Sequence, residues 1–262
     1  MKMIERAALL FSFLAAGNLS YAATILGIAA NFGVLGASTV TNTGPSVING
    51  DLGLYPGLSI TGFPPGSVNG TTHAGDADAM WAQADALTAY NVLANMTPDG
   101  ILTGQDLGGK TLLPGVYKFD DSTGLTGVLT LNFQGLSNRA FVFQIGSTLT
   151  TASASSVLIT NPGLGDSVYW QVGSSATLGT TTSFYGTIIA DASITLDTGA
   201  TIACGSALAL NAAVTLDTNT VWVDTCAVPD TPTPEPSTVF LLAAGLIAGA
   251  AWITRARTHR DR

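Results

Sequence analysis

The chain has 262 residues, only 10% of them charged, and its formal net charge is −8. Between residues 23 and 229 three cationic side chains, at Lys110, Lys118 and Arg139, stand against thirteen aspartates. Such an acidic body cannot neutralise a row of phosphates, so nucleic acid is excluded as a partner and an anionic membrane surface is disfavoured. His73 is the only histidine of this region, which argues against imidazole catalysis and multi-histidine metal sites. We therefore expect neither a metal nor a cofactor.

Residues 1–22 have the order of a secretory signal peptide. A basic start precedes the apolar run 7–16, and Ser20-Tyr21-Ala22 supplies the small residues that a signal peptidase requires. The alternative is an N-terminal membrane anchor, for which the apolar run is short. Secretion also suits the cysteines, because Cys204 and Cys226 could form one disulfide in an oxidising compartment. Two buried free thiols are the alternative for this pair.

Residues 23–227 are expected to form one domain, mostly of short strands separated by Gly, Asn, Asp and Ser turns. The exception is a predicted helix over about 76–96, where Asp76 and Asp78 favour an N-terminus and the Pro-Asp-Gly sequence after Thr97 favours a stop. Its predicted inward stripe consists of Ala77, Met80, Trp81, Ala84, Leu87, Thr88 and Val92. A stripe so rich in small residues suits close packing on a sheet.

An internal repeat dominates the second half of this domain. Three segments align without gaps, with spacings of 18 and 20 residues: 175–180, 193–198 and 213–218. A weaker copy lies at 147–150, and a period near twenty is typical of the coils of a β-solenoid. Because strand side chains point alternately to opposite faces, the aliphatic residues fill the core and Thr177, Thr195 and Thr215 point outward together. The early strands 36–42 and 46–50 are expected to join this stack or to cap it.

Stacked coils therefore predict a ladder of threonines on a flat face. Such a face repeats at about 6.6 Å along a strand and about 4.8 Å between coils. The β-branched threonine side chain is restricted in rotamer, so neighbouring methyl and hydroxyl groups are ordered at little entropic cost. A surface of this kind can order water into a pattern that a crystal shares, whereas it lacks the concavity of a small-molecule site. The alternative is that threonine is simply a good strand former.

Several motifs in the first half stand in a recognisable order, at 34–44, 48–57, 61–66 and 113–117. This order, with the predicted helix between the third and the fourth motif, resembles the DUF3494-type ice-binding proteins, and the resemblance extends over residues 24–224. It implies a mainly β fold, namely a discontinuous right-handed β-helix of triangular section with one long α-helix packed alongside. It also implies adsorption to ice through one flat face.

The resemblance and the repeat together suggest which residues form that face. The outward positions of the matching strands are Thr39, Thr41, Thr148, Thr150, Ser175, Thr177, Ser193, Thr195, Ala213 and Thr215. Thr198 and Thr201 are added because Thr198-Gly199-Ala200-Thr201 matches a Thr-Ala/Gly-x-Thr/Asn motif described in some members of the family. Asp197 and Asp217 are expected to mark the edge of the face.

The C-terminus contains a second predicted targeting segment, in addition to the signal peptide. A Pro-rich linker over 228–236 ends in Pro234-Glu235-Pro236, and the segment 237–262 combines an apolar stretch with an arginine-rich tail. On hydropathy this is a short membrane segment with a basic stop, and its order resembles the PEP-CTERM sorting signal of Gram-negative bacteria. The resemblance implies transient membrane contact and cleavage by an exosortase-type enzyme, with delivery to the outer surface or the extracellular polymer. A plain C-terminal anchor is the alternative.

The resulting prediction is a secreted, monomeric ice-binding protein that inhibits ice growth and recrystallisation. The alternative is a structural or adhesive protein of the extracellular matrix. An enzyme is disfavoured, because the candidates for acid, base or ligand are limited to Asp120-Asp121, which is typical of a solvated turn, and to His73, for which a structural role is favoured.

Overall fold

The structure is a computed structural model that describes residues 25–223. The predicted signal peptide, the linker 228–236 and the segment 237–262 lie outside the described residues. Before the helix the elements are a 3-10 turn at Gly27–Asn31, β1 Phe32–Gly36, β2 Thr39–Thr43, β3 Val47–Asn49, β4 Asp51–Leu54, β5 Ser59–Thr61, β6 Ser67–Val68 and β7 Thr72–Ala74. The helix α1 spans Ala77–Ala94, close to the predicted 76–96.

The second half consists of short strands alone, as its alternating pattern predicts. They are β8 Gly100–Ile101, β9 Thr111–Leu112, β10 Gly115–Phe119, β11 Thr123–Leu125, β12 Val128–Asn132, β13 Ala140–Ile145, β14 Leu149–Thr151, β15 Ser156–Thr160, β16 Ser167–Val172, β17 Ala176–Leu178, β18 Ser183–Tyr185, β19 Thr187–Ala190, β20 Ile194–Leu196, β21 Thr201–Ala203, β22 Ala207–Ala209, β23 Val214–Asp217 and β24 Thr220–Trp222.

All of these strands pair in parallel and form three sheets. Sheet A has the order β7-β4-β1-β22-β19-β16-β13-β10-β8, sheet B has β11-β14-β17-β20-β23-β2-β5, and sheet C has β6-β3-β24-β21-β18-β15-β12-β9. From β10 onward each coil of the chain contributes one strand to A, then one to B, then one to C. The predicted fold class, a discontinuous β-helix of triangular section with one long helix alongside, is confirmed.

The discontinuity lies between the first coil and the last. Strands β22, β23 and β24 pair with β1, β2 and β3, so the end of the chain stacks against its beginning. After β7, at one end of sheet A, α1 leads the chain back to β8 at the other end. The helix covers about 27 Å of this return at about 1.5 Å per residue. The early strands therefore join the stack and do not cap it.

Inward side chains from the three sheets form one core. Its centre is a run of aromatic rings in which Phe143 and Trp170 stack with their centroids 4.0 Å apart, and Phe141 and Phe184 continue the run on either side. The indole N–H of Trp170 donates to the Tyr185 carbonyl at 3.0 Å, so the polar end of the largest ring is satisfied. The rings hold consecutive coils at a common spacing.

The helix packs on the outward side of sheet A. The Asp76 carboxylate accepts a hydrogen bond from the Ala79 N–H at 3.0 Å, and this bond is the main reason why the pKa of Asp76 lies below its usual value. The buried side chains of α1 are Ala79, Ala82, Ala86, Ala89 and Leu93. The last four of them lie on outward residues of sheet A, including Leu35, Val142, Tyr169, Ile189 and Leu208. No helix among residues 25–223 is long and apolar enough to cross a membrane.

The predicted inward stripe of α1 is wrong. Trp81, Leu87 and Val92 are 56%, 50% and 44% exposed and lie away from sheet A. Large sheet side chains already fill the layer between helix and sheet, so the helix approaches through its alanines and its bulkier apolar residues face outward. The small size of the contacting residues was predicted correctly, but their positions around the helix were not.

Candidate functional site

One rank of threonines runs straight across the outer face of sheet B. In register, Thr150 pairs with Thr177, Thr177 with Thr195, Thr195 with Thr215, Thr215 with Thr41 and Thr41 with Thr61. These six residues, here called the threonine rank, occupy six adjacent strands and extend over about 24 Å at about 4.8 Å per strand. At one end Gly124 takes the next position. The flanking residues of each strand point inward, for example Ile194 and Leu196.

Five members of this rank were among the predicted residues, and Thr61 was missed. Its signal is present in the sequence, because Thr61 follows Thr41 by 20 residues within the alternating Ser-Ile-Thr of β5. The Gly/Pro-rich stretch around β5 conceals the period, so the strand was not aligned with the later repeats.

A second rank lies two residues earlier in each coil, at the first residue of the same strand or directly before it. It consists of Ser122, Thr148, Ser175, Ser193, Ala213, Thr39 and Ser59, here called the mixed rank. The hydroxyl oxygens of Ser175 and Ser193 are 2.9 Å apart, and the Thr148 hydroxyl donates to Ser122 Oγ at 2.9 Å. Thr39 pairs in register with Ser59. Ser122 and Ser59 were not predicted, and they extend this rank at both ends.

The two ranks differ in how their hydroxyls are used. In the mixed rank, hydroxyls of neighbouring coils bond to each other in two places. In the threonine rank the Thr41 hydroxyl donates only a long hydrogen bond, of 3.4 Å, to the Thr215 hydroxyl oxygen. None of the hydrogen bonds within residues 25–223 involves the hydroxyls of Thr150, Thr177 or Thr195. These hydroxyls are therefore available to solvent, while their methyl groups separate them at a fixed spacing.

The edge of the face on the side of sheet C carries the two predicted aspartates. Asp197 and Asp217 each lie two residues after a member of the threonine rank, and Asp217 pairs in register with Thr43. The Thr198 hydroxyl donates to an Asp217 carboxylate oxygen. In the neighbouring coil this position is Gly179, where a Cβ would lie 2.5 Å from the Thr151 carbonyl oxygen. The charge is thus confined to the rim of an otherwise uncharged face.

Two of the predicted face residues lie elsewhere. Gly199 has φ +73° and turns the chain at the corner between sheets B and C, so Thr198 sits on the corner itself. Thr201 begins β21 of sheet C, where it pairs with Ser183 and Thr220. Glycine provides this left-handed conformation without steric cost, and the motif therefore spans two faces instead of lying on one.

The residues considered for catalysis form local structural contacts. Lys118 lies 2.8 Å from an oxygen of Asp120, and its hydrogen bond to this carboxylate is the main reason why the pKa of Asp120 is lowered. His73 Nδ1 lies 2.8 Å from Asp76 Oδ2 at the start of α1, and its ring contacts Phe32. Within residues 25–223 no three His, Cys, Asp or Glu side chains are grouped so as to hold a metal ion. None of these groups lies on the outer face of sheet B.

Cys204 is disulfide-bonded. It lies at the corner between β21 and β22 and is buried. Cys226, the second cysteine of the chain, lies outside the described residues, so its pairing with Cys204 stays a prediction.

A solenoid with a flat, uncharged and regularly spaced polar face defines a protein that binds an extended surface rather than a small molecule. The comparison with known families agrees with this class. The profile described as "Ice-binding-like" matches residues 34–222, and the chain belongs to this family. The profile described as "PEP-CTERM protein-sorting motif" matches residues 232–256, as the Pro-Glu-Pro order predicts.

Similar proteins and structures cover most of the chain. An ice-binding protein of Nostoc sp. (strain HG1) is 53% identical over 228 residues, which are 86% of this chain and 84% of that protein. An ice-binding protein of Flavobacterium frigoris (strain PS1) is 32% identical over 67% of this chain and 68% of its own length. The crystal structure of the ice-binding protein of Antarctomyces psychrotrophicus, 45% identical, superposes with a TM-score of 0.72 over 77% of this chain and 98% of that one.

Proposed function

We propose that this protein binds ice through the outer face of sheet B, with the threonine rank as its centre and the mixed rank beside it. The observation that carries the proposal is the register of six threonines on six adjacent strands. The names of the similar proteins support the same function. Adsorbed molecules block the advance of the ice front between them, and growth and recrystallisation are inhibited.

The physical basis is a match between two ordered lattices. Methyl and hydroxyl groups recur at about 4.8 Å between coils and at about 6.6 Å between the two ranks. Because the β-branched side chains and the ladder are rigid before binding, little conformational entropy is lost on contact with ice. Hydroxyls free of protein partners bond to the water layer, and the methyl groups fill the gaps between them.

The alternative function is that of a structural or adhesive protein of the extracellular matrix. The sorting motif at 232–256 is compatible with it, since such a motif serves export to the cell surface for either function. The two functions are compatible, because an ice-binding protein held in the polymer layer keeps ice from recrystallising around the cell. They differ in one requirement: ice binding needs a flat outer face on sheet B, whereas a structural or adhesive function does not.

We further propose the following organisation for the secreted protein. Residues 1–22 are removed as a signal peptide, residues 23–227 form the ice-binding domain, and an exosortase-type enzyme cleaves near the Pro-Glu-Pro motif at the outer surface of a Gram-negative cell. The segment 237–262 contacts the membrane only transiently, and Cys226 is the partner of Cys204. The mature protein acts as a monomer. It has no catalytic activity, which the names of its relatives, both ice-binding proteins, support.

The test is a bulky substitution at the centre of the threonine rank. Thr195→Tyr places a ring in the flat lattice while leaving the buried flanking side chains in place, so we expect loss of thermal hysteresis and of crystal faceting. Thr88→Tyr, on the exposed side of α1, is the control and should retain both. Circular dichroism and melting curves establish that both variants are folded. Full ice activity in a folded Thr195→Tyr protein would move the ice-binding site to another face. A folded wild-type protein without thermal hysteresis or faceting would leave the matrix alternative as the better function.

A further inference from the structure

A short row of apolar side chains crosses the outer face of sheet C. Leu158, Tyr185, Ala203 and Trp222 lie on the adjacent strands β15, β18, β21 and β24, and they are here called the apolar row. Tyr185 and Ala203 pair in register. The residue before each member, for example Phe184, is buried in the core, so the members themselves point outward. Leu158 is 50% exposed, and the two aromatic rings are half-buried.

The apolar row is rigid and evenly spaced. Its strands belong to one parallel ladder, so those that carry Tyr185 and Trp222 are about 9.6 Å apart, with only the small Ala203 between the two rings. The Tyr185 carbonyl accepts the hydrogen bond of the Trp170 indole N–H at 3.0 Å, which ties this strand to the core. The sheet therefore presents two aromatic rings at a fixed separation, with a shallow gap between them.

A row of hydroxyls runs parallel to the apolar row, two residues earlier on the same strands. Its members are Ser156, Ser183, Thr201 and Thr220, which pair in register. Within residues 25–223 the hydroxyls of Ser156, Ser183 and Thr220 make no protein hydrogen bond, and the indole N–H of Trp222 has no acceptor. Each strand thus offers one apolar side chain and one hydroxyl to the same ligand.

This combination matches the chemistry of a neutral polysaccharide. A pyranose sugar has apolar faces made of C–H groups and an edge of hydroxyls, so its face packs on an aromatic ring while its edge bonds to hydroxyls beside that ring. In an extended β-linked chain every second sugar presents the same face. The length of two such sugars is similar to the separation of the strands that carry Tyr185 and Trp222.

The size and the charge of this surface argue against other partners. The two rows together cover on the order of 200 Å², whereas a stable protein partner needs about 800 Å² on each side. None of the side chains in the two rows is charged, and the body of the chain is acidic, so an anionic polymer gains no ion pair here and is repelled. An extended neutral polymer fits both constraints.

We propose that the apolar row and the hydroxyls beside it bind a neutral, β-linked polysaccharide. Tyr185 and Trp222 pack on two sugars of the chain, and the parallel hydroxyls bond to its edge. Because the surface is rigid before binding, little conformational entropy is lost. This function is additional to ice binding and uses a different sheet, so one molecule holds a polymer chain on sheet C while sheet B meets ice. Such contact retains the exported protein in a polymer layer.

The experiment measures adsorption of the secreted protein to suspended cellulose, mannan and chitin by its loss from solution, with alginate beads as the acidic comparison. The wild-type protein should adsorb to at least one of the neutral polymers and not to alginate. Trp222→Ala removes one ring and should weaken adsorption by about tenfold or more. Ala203→Glu fills the gap with a charged side chain and should have the same effect with both rings in place. Trp81→Ala, which removes an exposed tryptophan of α1, is the matched control and should adsorb like the wild type.

Melting curves and thermal hysteresis on the same samples separate this site from the ice-binding face. Both sheet C variants should keep their hysteresis, because the threonine rank is intact. A folded wild-type protein that stays in solution with all three neutral polymers would overturn the proposal. So would undiminished adsorption of a folded Trp222→Ala or Ala203→Glu protein, or equal adsorption to alginate. Adsorption to a neutral polymer by a wild-type protein without thermal hysteresis would support this site while contradicting the proposed ice binding.

Discussion

The outer faces of sheets A and B are built on the same parallel ladder, yet one is buried and the other is open. On sheet A Ile189, Leu208 and Leu35 pair in register and lie under α1. On sheet B Thr195, Thr215 and Thr41 pair at the corresponding positions of the same coils and face solvent. The backbone is equivalent, so the side chains alone decide whether a face becomes core or surface. An apolar rank requires a cover, whereas a rank of hydroxyls can bond water.

Polar contacts also hold the helix on sheet A, one set in its first half and one at its C-terminal end. Gln83 of α1 donates to the Gly36 and Ala209 carbonyls at 2.9 and 3.1 Å. From the sheet, Gln144 donates to the Leu93 and Met96 carbonyls at the end of the helix. These hydrogen bonds fix the position of the helix along sheet A as well as its orientation.

The largest expected effect on the free energy of unfolding comes from placing an aspartate on the outer face of sheet A and, for comparison, on that of sheet B. Leu208→Asp places a carboxyl group under α1, where Leu208 is fully buried, and it should destabilise the fold by about 5 kcal/mol. Thr215→Asp on sheet B should change stability by less than about 0.5 kcal/mol, because its carboxylate stays in water. Urea unfolding of the two variants measures the difference. Equal losses would show that α1 does not shield sheet A.

A smaller effect is expected where the sheet holds the end of the helix. Gln144→Met keeps the length of the side chain but removes the donors to Leu93 and Met96, which lie at 2.7 and 2.8 Å. We expect a loss of about 2 kcal/mol and faster hydrogen exchange in the last turn of α1. Gln105→Met is the exposed control. If exchange in α1 is unchanged, the helix is held by apolar contact alone.

The smallest effect is a dependence on alkaline pH. Burial raises the pKa of Tyr169 to about 12, and the ring lies on the side of sheet A that α1 covers. Because the folded pKa is raised above the ordinary value of 10, the contribution of Tyr169 to the free energy of unfolding is fully present well below pH 10 and is lost as pH rises from 10 to about 12. At pH 11 the loss is about 1.4 kcal/mol relative to pH 8. Tyr169→Phe should remove this part of the decline, as pH-dependent urea unfolding would show, and an identical decline in the variant would place its origin in another group.

The sequence alone predicted the fold where its pattern is local and repeated. The alternation in β17, β20 and β23 placed Ala176, Ile194 and Val214 inward and their neighbouring threonines outward, and the period near twenty aligned these strands in register. The extent of α1 was also predictable, since its capping aspartate and its stop signal are local features. The resemblance to a known family supplied the triangular section and the broken coil order.

Only the tertiary structure decided which faces meet. Apolar residues occur around much of α1, so the pattern did not reveal that Ala82, Ala86 and Ala89 would contact sheet A while Trp81 faces solvent. Thr201 was assigned to the same face as Thr195 because the turn at Gly199 is invisible in a linear motif. Thr61 was missed because the Gly/Pro-rich stretch around β5 conceals its pairing with Thr41. Local alternation is set by backbone geometry that every strand shares, whereas the pairing of distant coils depends on where the chain folds back, which no short pattern encodes.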